Sequence, residues 1–146
     1  MRYLADTNIL LRTAEPSHPM HPETVAAIGR LLHDGEELCV FPQNLIEFWA
    51  VATRPVSVNG LGMTTAEAES ELARIKSLFR LLLDTPEIFF AWETLVVQHG
   101  VSGKSTHDAR IVAAMSVHAI TDLLTFNGGD FKRYSGINVV SPTDVR

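Results

Sequence analysis

The sequence predicts an α/β fold, with a central parallel sheet covered by helices on both faces. Three observations predict it. Short apolar runs of strand length alternate with longer segments whose apolar residues recur at helical spacing. That alternation runs from one end of the chain to the other, as crossover units require. No internal repeat, linker or low-complexity tract interrupts it, and 146 residues suit one domain rather than two, so residues 1–146 are expected to form a single unit.

Arg2 to Ala5 reads as the first strand, and Thr7 to Ala14 as a short helix stopped near Pro16. Ser17 to Pro22 reads as loop, because it holds two prolines and no periodicity. Glu23 to His33 is helical, with Val25, Ile28 and Leu32 on one stripe and Asp34-Gly35 as its stop. Leu38 to Phe41 is a second buried strand. Pro42 then opens a helix at its favoured first position. In that helix Leu45, Phe48, Trp49 and Ala52 fall on a core-facing stripe. Pro55, Gly60 and Gly62 mark a turn. Thr64 caps the next helix with Glu67 as its capping-box partner, and Ala68, Leu72, Ile75, Phe79 and Leu82 carry the apolar stripe. A break is expected within Leu81 to Leu83. Pro86 opens a helix facing inward through Ile88, Ala91, Trp92 and Leu95. Ser105 to His118 is a strong helix carrying Ile111, Val112 and Met115. Asp122 to Phe126 is a strand, Asn127-Gly128-Gly129 a turn, and Asn138 to Val140 the last strand.

Composition narrows the function. One cysteine, Cys39, rules out an internal disulfide framework and a Cys-cluster metal site; inside an apolar run it reads as a small buried hydrophobe. No apolar run reaches membrane-spanning length, and the N-terminus lacks the segments of a signal peptide. A cytoplasmic location is therefore expected. The net charge of −5 argues against a general nucleic-acid binder, which carries a basic excess. It is compatible with an enzyme that holds cations in an acidic pocket.

Four carboxylates stand out by position. Asp6 follows the first strand, where the crevice of an open α/β sheet lies. Glu47 sits in a largely apolar helix, Asp108 in the first turn of another, and Asp130 just beyond a strand and turn. Each also has a purely structural reading. Asp6 or Thr7 can cap the following helix. Glu47 can pair with Arg54. Asp108 can close a capping box with Ser105, and Asp130 can cap a turn from Asn127. Convergence is chemically demanding. Two carboxylates about 4 Å apart repel by about 4 kcal/mol at an effective dielectric near 20. Four in one pocket must raise some pKa values or bind cations. No His or Cys stands at ligand spacing around them, and all-oxygen sites suit Mg²⁺ or Mn²⁺. That combination points to metal-assisted phosphoester chemistry.

The residues resemble the PIN-domain ribonucleases, and among them the VapC-type toxins of toxin–antitoxin pairs. The resemblance is carried by Leu4-Ala5-Asp6-Thr7-Asn8, by Glu47 in Asn44-Leu45-Ile46-Glu47-Phe48, by Thr106-His107-Asp108-Ala109, and by Leu124 to Phe131. The segments Ala52 to Pro55 and Asn59 to Gly62 also look like a group of these toxins. The resemblance implies a three-layer fold and an acidic pocket of Asp6, Glu47, Asp108 and Asp130. Asp6 and Asp108 would be the main Mg²⁺ ligands, and Thr7 would hold the carboxylates by hydrogen bonds. Many relatives carry the fourth acid where Asn127 stands, so either Asn127 as a neutral ligand or Asp130 as the acid fills that position. The resemblance also implies RNA as substrate, a cognate antitoxin and a homodimer.

Other motifs are weaker. Gly103-Lys104-Ser105 resembles the end of a P-loop, but Gln98 stands where its first glycine should be. A phosphatase with an aspartyl nucleophile needs a second Asp two residues after the first, and Asn8 is there. A binding module with a vestigial acidic cluster is the non-catalytic alternative. Contact with RNA is expected from a local basic rim, for which Arg12, Arg54, Lys104, Arg110, Lys132 and Arg133 are candidates. Trp49, Phe79 and Trp92 are candidates for a dimer face, though core packing is the stronger reading of each, and Pro55 to Met63 is a candidate contact loop.

Overall fold

The computed structural model describes all residues from Met1 to Arg146. Its elements run β1 (Arg2–Ala5), α1 (Thr7–Thr13), α2 (His21–His33), β2 (Glu37–Val40), α3 (Pro42–Thr53), α4 (Thr65–Leu78), β3 (Arg80–Leu81), α5 (Glu87–His99), α6 (Ser105–Val117), β4 (Asp122–Leu124) and β5 (Asn138–Val140). Short 3₁₀ turns cover Val56–Val58, Gly128–Phe131 and Pro142–Asp144. The five strands form one sheet in the order β3-β2-β1-β4-β5, and every pairing is parallel.

Strand alternation divides the core in two. Ala5, Leu38, Val40 and Leu124 point to one face, where they meet Ile9, Leu10, Ile28, Phe48 and Ile75 from α1 to α4. Leu4, Cys39 and Leu123 point to the other, where they meet Ile88, Ala109, Val112 and Met115 from α5 and α6. Three layers follow directly. Cys39 is fully buried in the second core, as its apolar surroundings predict.

Several elements differ from the sequence expectation. The two-residue β3 falls at the edge of the expected break, which an apolar run of leucines conceals. It is a strand because its backbone pairs with Cys39 and Val40 of β2. α2 begins at His21, inside the expected loop, because Pro22 stands in its first turn, where the missing N–H costs nothing. Its inner face is Thr24, Ala27, Ile28 and Leu31, whereas Val25 and Leu32 are exposed. The Thr24 hydroxyl can be buried because it donates to the Met20 carbonyl at 2.8 Å. Phe41 leaves β2 to serve as the N-cap of α3, and β4 ends at Leu124. Thr64 and Glu67 close the expected capping box, at 3.1 and 3.2 Å.

The strand order places a topological switch point between β1 and β4. The chain leaves β1 toward β2 on one side and returns to β4 on the other. Ligands of open parallel sheets bind outside the carboxyl ends of strands at such a point. Asp6 stands there, directly after β1.

Candidate active site

Asp6 is the N-cap of α1 and accepts the Thr7 amide at 2.8 Å on Oδ1. The capping reading is therefore correct, but it describes only one oxygen. Oδ2 accepts the Thr125 hydroxyl at 2.8 Å and the Asn8 amide at 3.3 Å. Asn8 also donates to Thr125 Oγ1 at 3.0 Å and accepts the Phe126 amide at 3.2 Å on Oδ1. The ends of β1 and β4 are thus laced together around one carboxylate. Burial raises the Asp6 carboxyl above its ordinary pKa; the donors Thr125 and Thr7 pull it back, and the charges of Glu47 and Asp130 push it up again.

Buried Thr7 connects Asp6 to Glu47. Its hydroxyl donates to Glu47 Oε2 at 3.0 Å and accepts the Asn44 side-chain amide at 3.4 Å. Glu47 Oε1 accepts Gln43 Nε2 at 2.8 Å, one helical turn earlier on the same face. Its partners are Thr7 and Gln43 rather than Arg54, so the alternative of an ion pair with Arg54 is not realised.

Asp108 lies in the first turn of α6, but no capping box forms with Ser105; Lys104 is the N-cap and offers no side-chain bond. The Asp108 carboxyl is pushed up to about 6, chiefly by burial and then by the charges of Asp6, Asp130 and Glu47, with His107 opposing. Asp130 projects from the Gly128–Phe131 turn as an exposed residue, and its charge acts on both Asp6 and Asp108. Asn127 is engaged through its backbone: its amide donates to Thr125 Oγ1 at 3.0 Å and its carbonyl accepts the Asp130 amide at 3.1 Å. All four acids therefore share one electrostatic field at the switch point. No three of them stand close enough to enclose a metal ion unaided.

The geometry adds residues that sequence reasoning passed over. Thr125 binds Asp6, Gln43 joins the expected Thr7 in binding Glu47, and fully buried Asn44 braces Thr7 while accepting the Phe41 amide at 2.9 Å. Asn44 and Thr125 lie within the quoted motifs, so their sequence position was the available signal. The basic rim is thinner than expected. Arg12 is paired with Glu15, and Arg110 binds Asp84 at 3.2 Å and Gln43 Oε1 at 3.2 Å. Phe79 is a core residue, which removes it from the candidate dimer face.

Residues 3–137 match a family model described as PIN domain. No curated protein matches the chain. Among solved structures, the chain is similar to VapBC2 from Rickettsia felis bound to a DNA fragment from its promoter, with TM-score 0.71, 17% identity, and 97% and 98% of the two chains covered. It is also similar to a toxin–antitoxin complex from Klebsiella pneumoniae, with TM-score 0.66, 21% identity, and 96% and 97% covered. A third similar structure is VapC20 of Mycobacterium tuberculosis, a sarcin-ricin loop cleaving toxin, with TM-score 0.65, 19% identity, and 90% and 94% covered.

Proposed function

From the premise that this chain belongs to the PIN domain family, we propose that it is a metal-dependent endoribonuclease, the toxin of a toxin–antitoxin pair. The observation that carries the reading is the gathering of four acids at the switch point of the sheet: Asp6 is held there by Thr7 and Thr125, Thr7 ties it to Glu47, and the charges of Asp6, Asp130 and Glu47 all bear on the partly buried Asp108. Such crowding is stable only with protons or cations present.

The donor set fits a hard divalent cation. It offers carboxylate, amide and hydroxyl oxygens, with neither thiolate nor imidazole among them. Because no three acids enclose an ion by themselves, the fit is to Mg²⁺ or Mn²⁺ that keeps part of its water shell and is completed by substrate phosphate. Asp6 and Asp108 would hold it, with Asp130 and Asn127 at the open rim; the charge of Asp130 on both ligands favours the acid over the amide for the fourth position. When bound, the cation neutralises the acids and polarises the phosphodiester. Glu47, fixed at both oxygens by Thr7 and Gln43, is positioned to order an attacking water and accept its proton. Thr125 and Asn8 hold Asp6 in one rotamer throughout.

The phosphatase alternative finds no second acid. Asn8 is committed to Asp6, Thr125 and the Phe126 amide. The similarity to a toxin–antitoxin complex supports a cognate antitoxin as partner; the exposed apolar residues Phe90 and Val97 of α5 offer a face for a second copy of the chain.

Brief expression followed by mapping of new RNA 5′ ends tests this. Wild type should generate discrete ends that disappear with Asp6→Asn and with Asp108→Asn, each at least about 100-fold less active while folded. A folded Asp6→Asn protein that cuts at the wild-type rate removes the acids from the mechanism.

A further inference from the structure

Building on the ribonuclease reading, we propose that the cleft between the starts of α5 and α6 receives one unstacked base of the RNA, beside the phosphate that is cut. The cleft has a volume of about 390 Å³, within the range of small-ligand sites. Ile88, Phe89 and Trp92 form its apolar wall, with Thr85, His107 and Arg110 around them. The Trp92 ring is fixed by its Nε1, which donates to the Thr106 carbonyl at 2.8 Å. Phe89 leans against Trp92 with ring centres 5.7 Å apart, yet it is 56% exposed at the mouth. A rigid aromatic wall with an open aromatic edge is what an unpaired base stacks on.

The cleft adjoins the acids through one side chain. Gln43 Nε2 donates to Glu47 Oε1 at 2.8 Å and to the His107 carbonyl at 2.9 Å, while its Oε1 accepts Arg110 at 3.2 Å. The same residue that positions Glu47 therefore also fixes the cationic wall of the cleft. Charge decides what the cleft takes. Arg110 is balanced by Asp84 at 3.2 Å, so the cleft carries little net positive charge for a phosphate. A neutral ring with polar edges suits it, stacking on Phe89 and lying against the guanidinium. The Thr85 hydroxyl, buried beside the Glu87 carboxylate, also lines the cleft. An apolar helix laid over the cleft would instead bury the half-exposed Arg110–Asp84 pair, a desolvation cost that a base with its own donors and acceptors avoids.

The test measures binding of a short single-stranded oligoribonucleotide to the full chain carrying Asp6→Asn, which prevents turnover. The oligonucleotide is also prepared with an abasic ribose at each position in turn. One abasic position should weaken binding by roughly 5- to 150-fold, the range for loss of one aromatic–base stack. Adding Phe89→Ala should cause the same loss and abolish sensitivity to that position, and Phe89→Trp should restore it. Equal affinity for all abasic oligonucleotides overturns the base pocket and leaves the nuclease reading intact. If Phe89→Ala changes only the monomer–dimer equilibrium, the cleft belongs to an interface between copies and the proposal is wrong. Failure to bind any RNA refutes the base pocket together with the reading beneath it.

Discussion

Asp6 and Asp108 are two carboxyls raised in different settings. Asp6 is surrounded by donors from Thr7, Asn8 and Thr125, so its position is fixed whether or not a cation is present. Asp108 is pushed up to about 6 mainly by burial and like charge, with only His107 in opposition. A carboxyl whose folded pKa lies above its unfolded value binds more protons in the native state. Its contribution is complete below the unfolded value near 4 and is lost as pH rises through about 6. In metal-free protein, Asp108→Asn should therefore have little effect at pH 4. By pH 7 it should stabilise by about 1–2 kcal/mol after solvent screening of this partly exposed site. Thermal melts of both proteins across that range read the crossover; a constant difference at every pH would contradict it. Asn44→Ala should cost about 1–3 kcal/mol in chemical denaturation, because the buried Phe41 amide loses its acceptor. Cys39 gives a third check. Burial and the neighbouring Glu37 push its thiol up to about 11, so native protein at pH 8 should resist alkylation and react only once unfolded. Asp6, Asp108 and Asp130 were legible in the sequence because each follows a strand or starts a helix, and Glu47 because it interrupts a largely apolar one. Gln43, Asn44 and Thr125 were not, because a neutral polar residue reveals its purpose only through its partner.

Helices and strands of three or four residues left clear traces, and the two-residue β3 did not. The Thr64–Glu67 box could be read directly because both halves of the motif are local. β3 could not, since two residues carry no periodicity and its identity depends on β2. α2 shows a different limit. Its apolar residues occur on more than one side, and the buried side includes Thr24, which only a back-bond to Met20 makes acceptable. The segment after α3 is more ordered than a contact loop needs to be. Leu61, Gly62 and Met63 amides donate to the carbonyls of Val51, Arg54 and Ala52 at 2.9–3.0 Å, satisfying the end of the helix. Gly60 is essential to that return. A Cβ there would lie 1.9 Å from the Arg54 carbonyl oxygen. Gly60→Ala should cost about 2–4 kcal/mol, read from the denaturation midpoint, with the acids at the switch point untouched. A variant of wild-type stability would show that the loop is not held as described.

At the scale of the molecule, the strand order is what turns scattered acids into a site. β1 and β4 are neighbours although more than a hundred residues separate them, so Asp6 and Thr125 meet at one edge. α3 and α6 then supply Glu47 and Asp108 from either side of the sheet. Alternation of strands and helices made the layers legible, but it does not state which strand lies in the centre. The most direct measurement of the central claim is thermal unfolding at pH 7.5 during a Mg²⁺ titration of wild type and Asp108→Asn. The account predicts that Mg²⁺ raises the wild-type midpoint in step with the logarithm of its concentration once above the dissociation constant, the stabilisation being about 2.7 kcal/mol at a hundredfold excess. It also predicts that Asp108→Asn starts higher and responds little. An equal Mg²⁺ response in both proteins, or none in wild type, would contradict it.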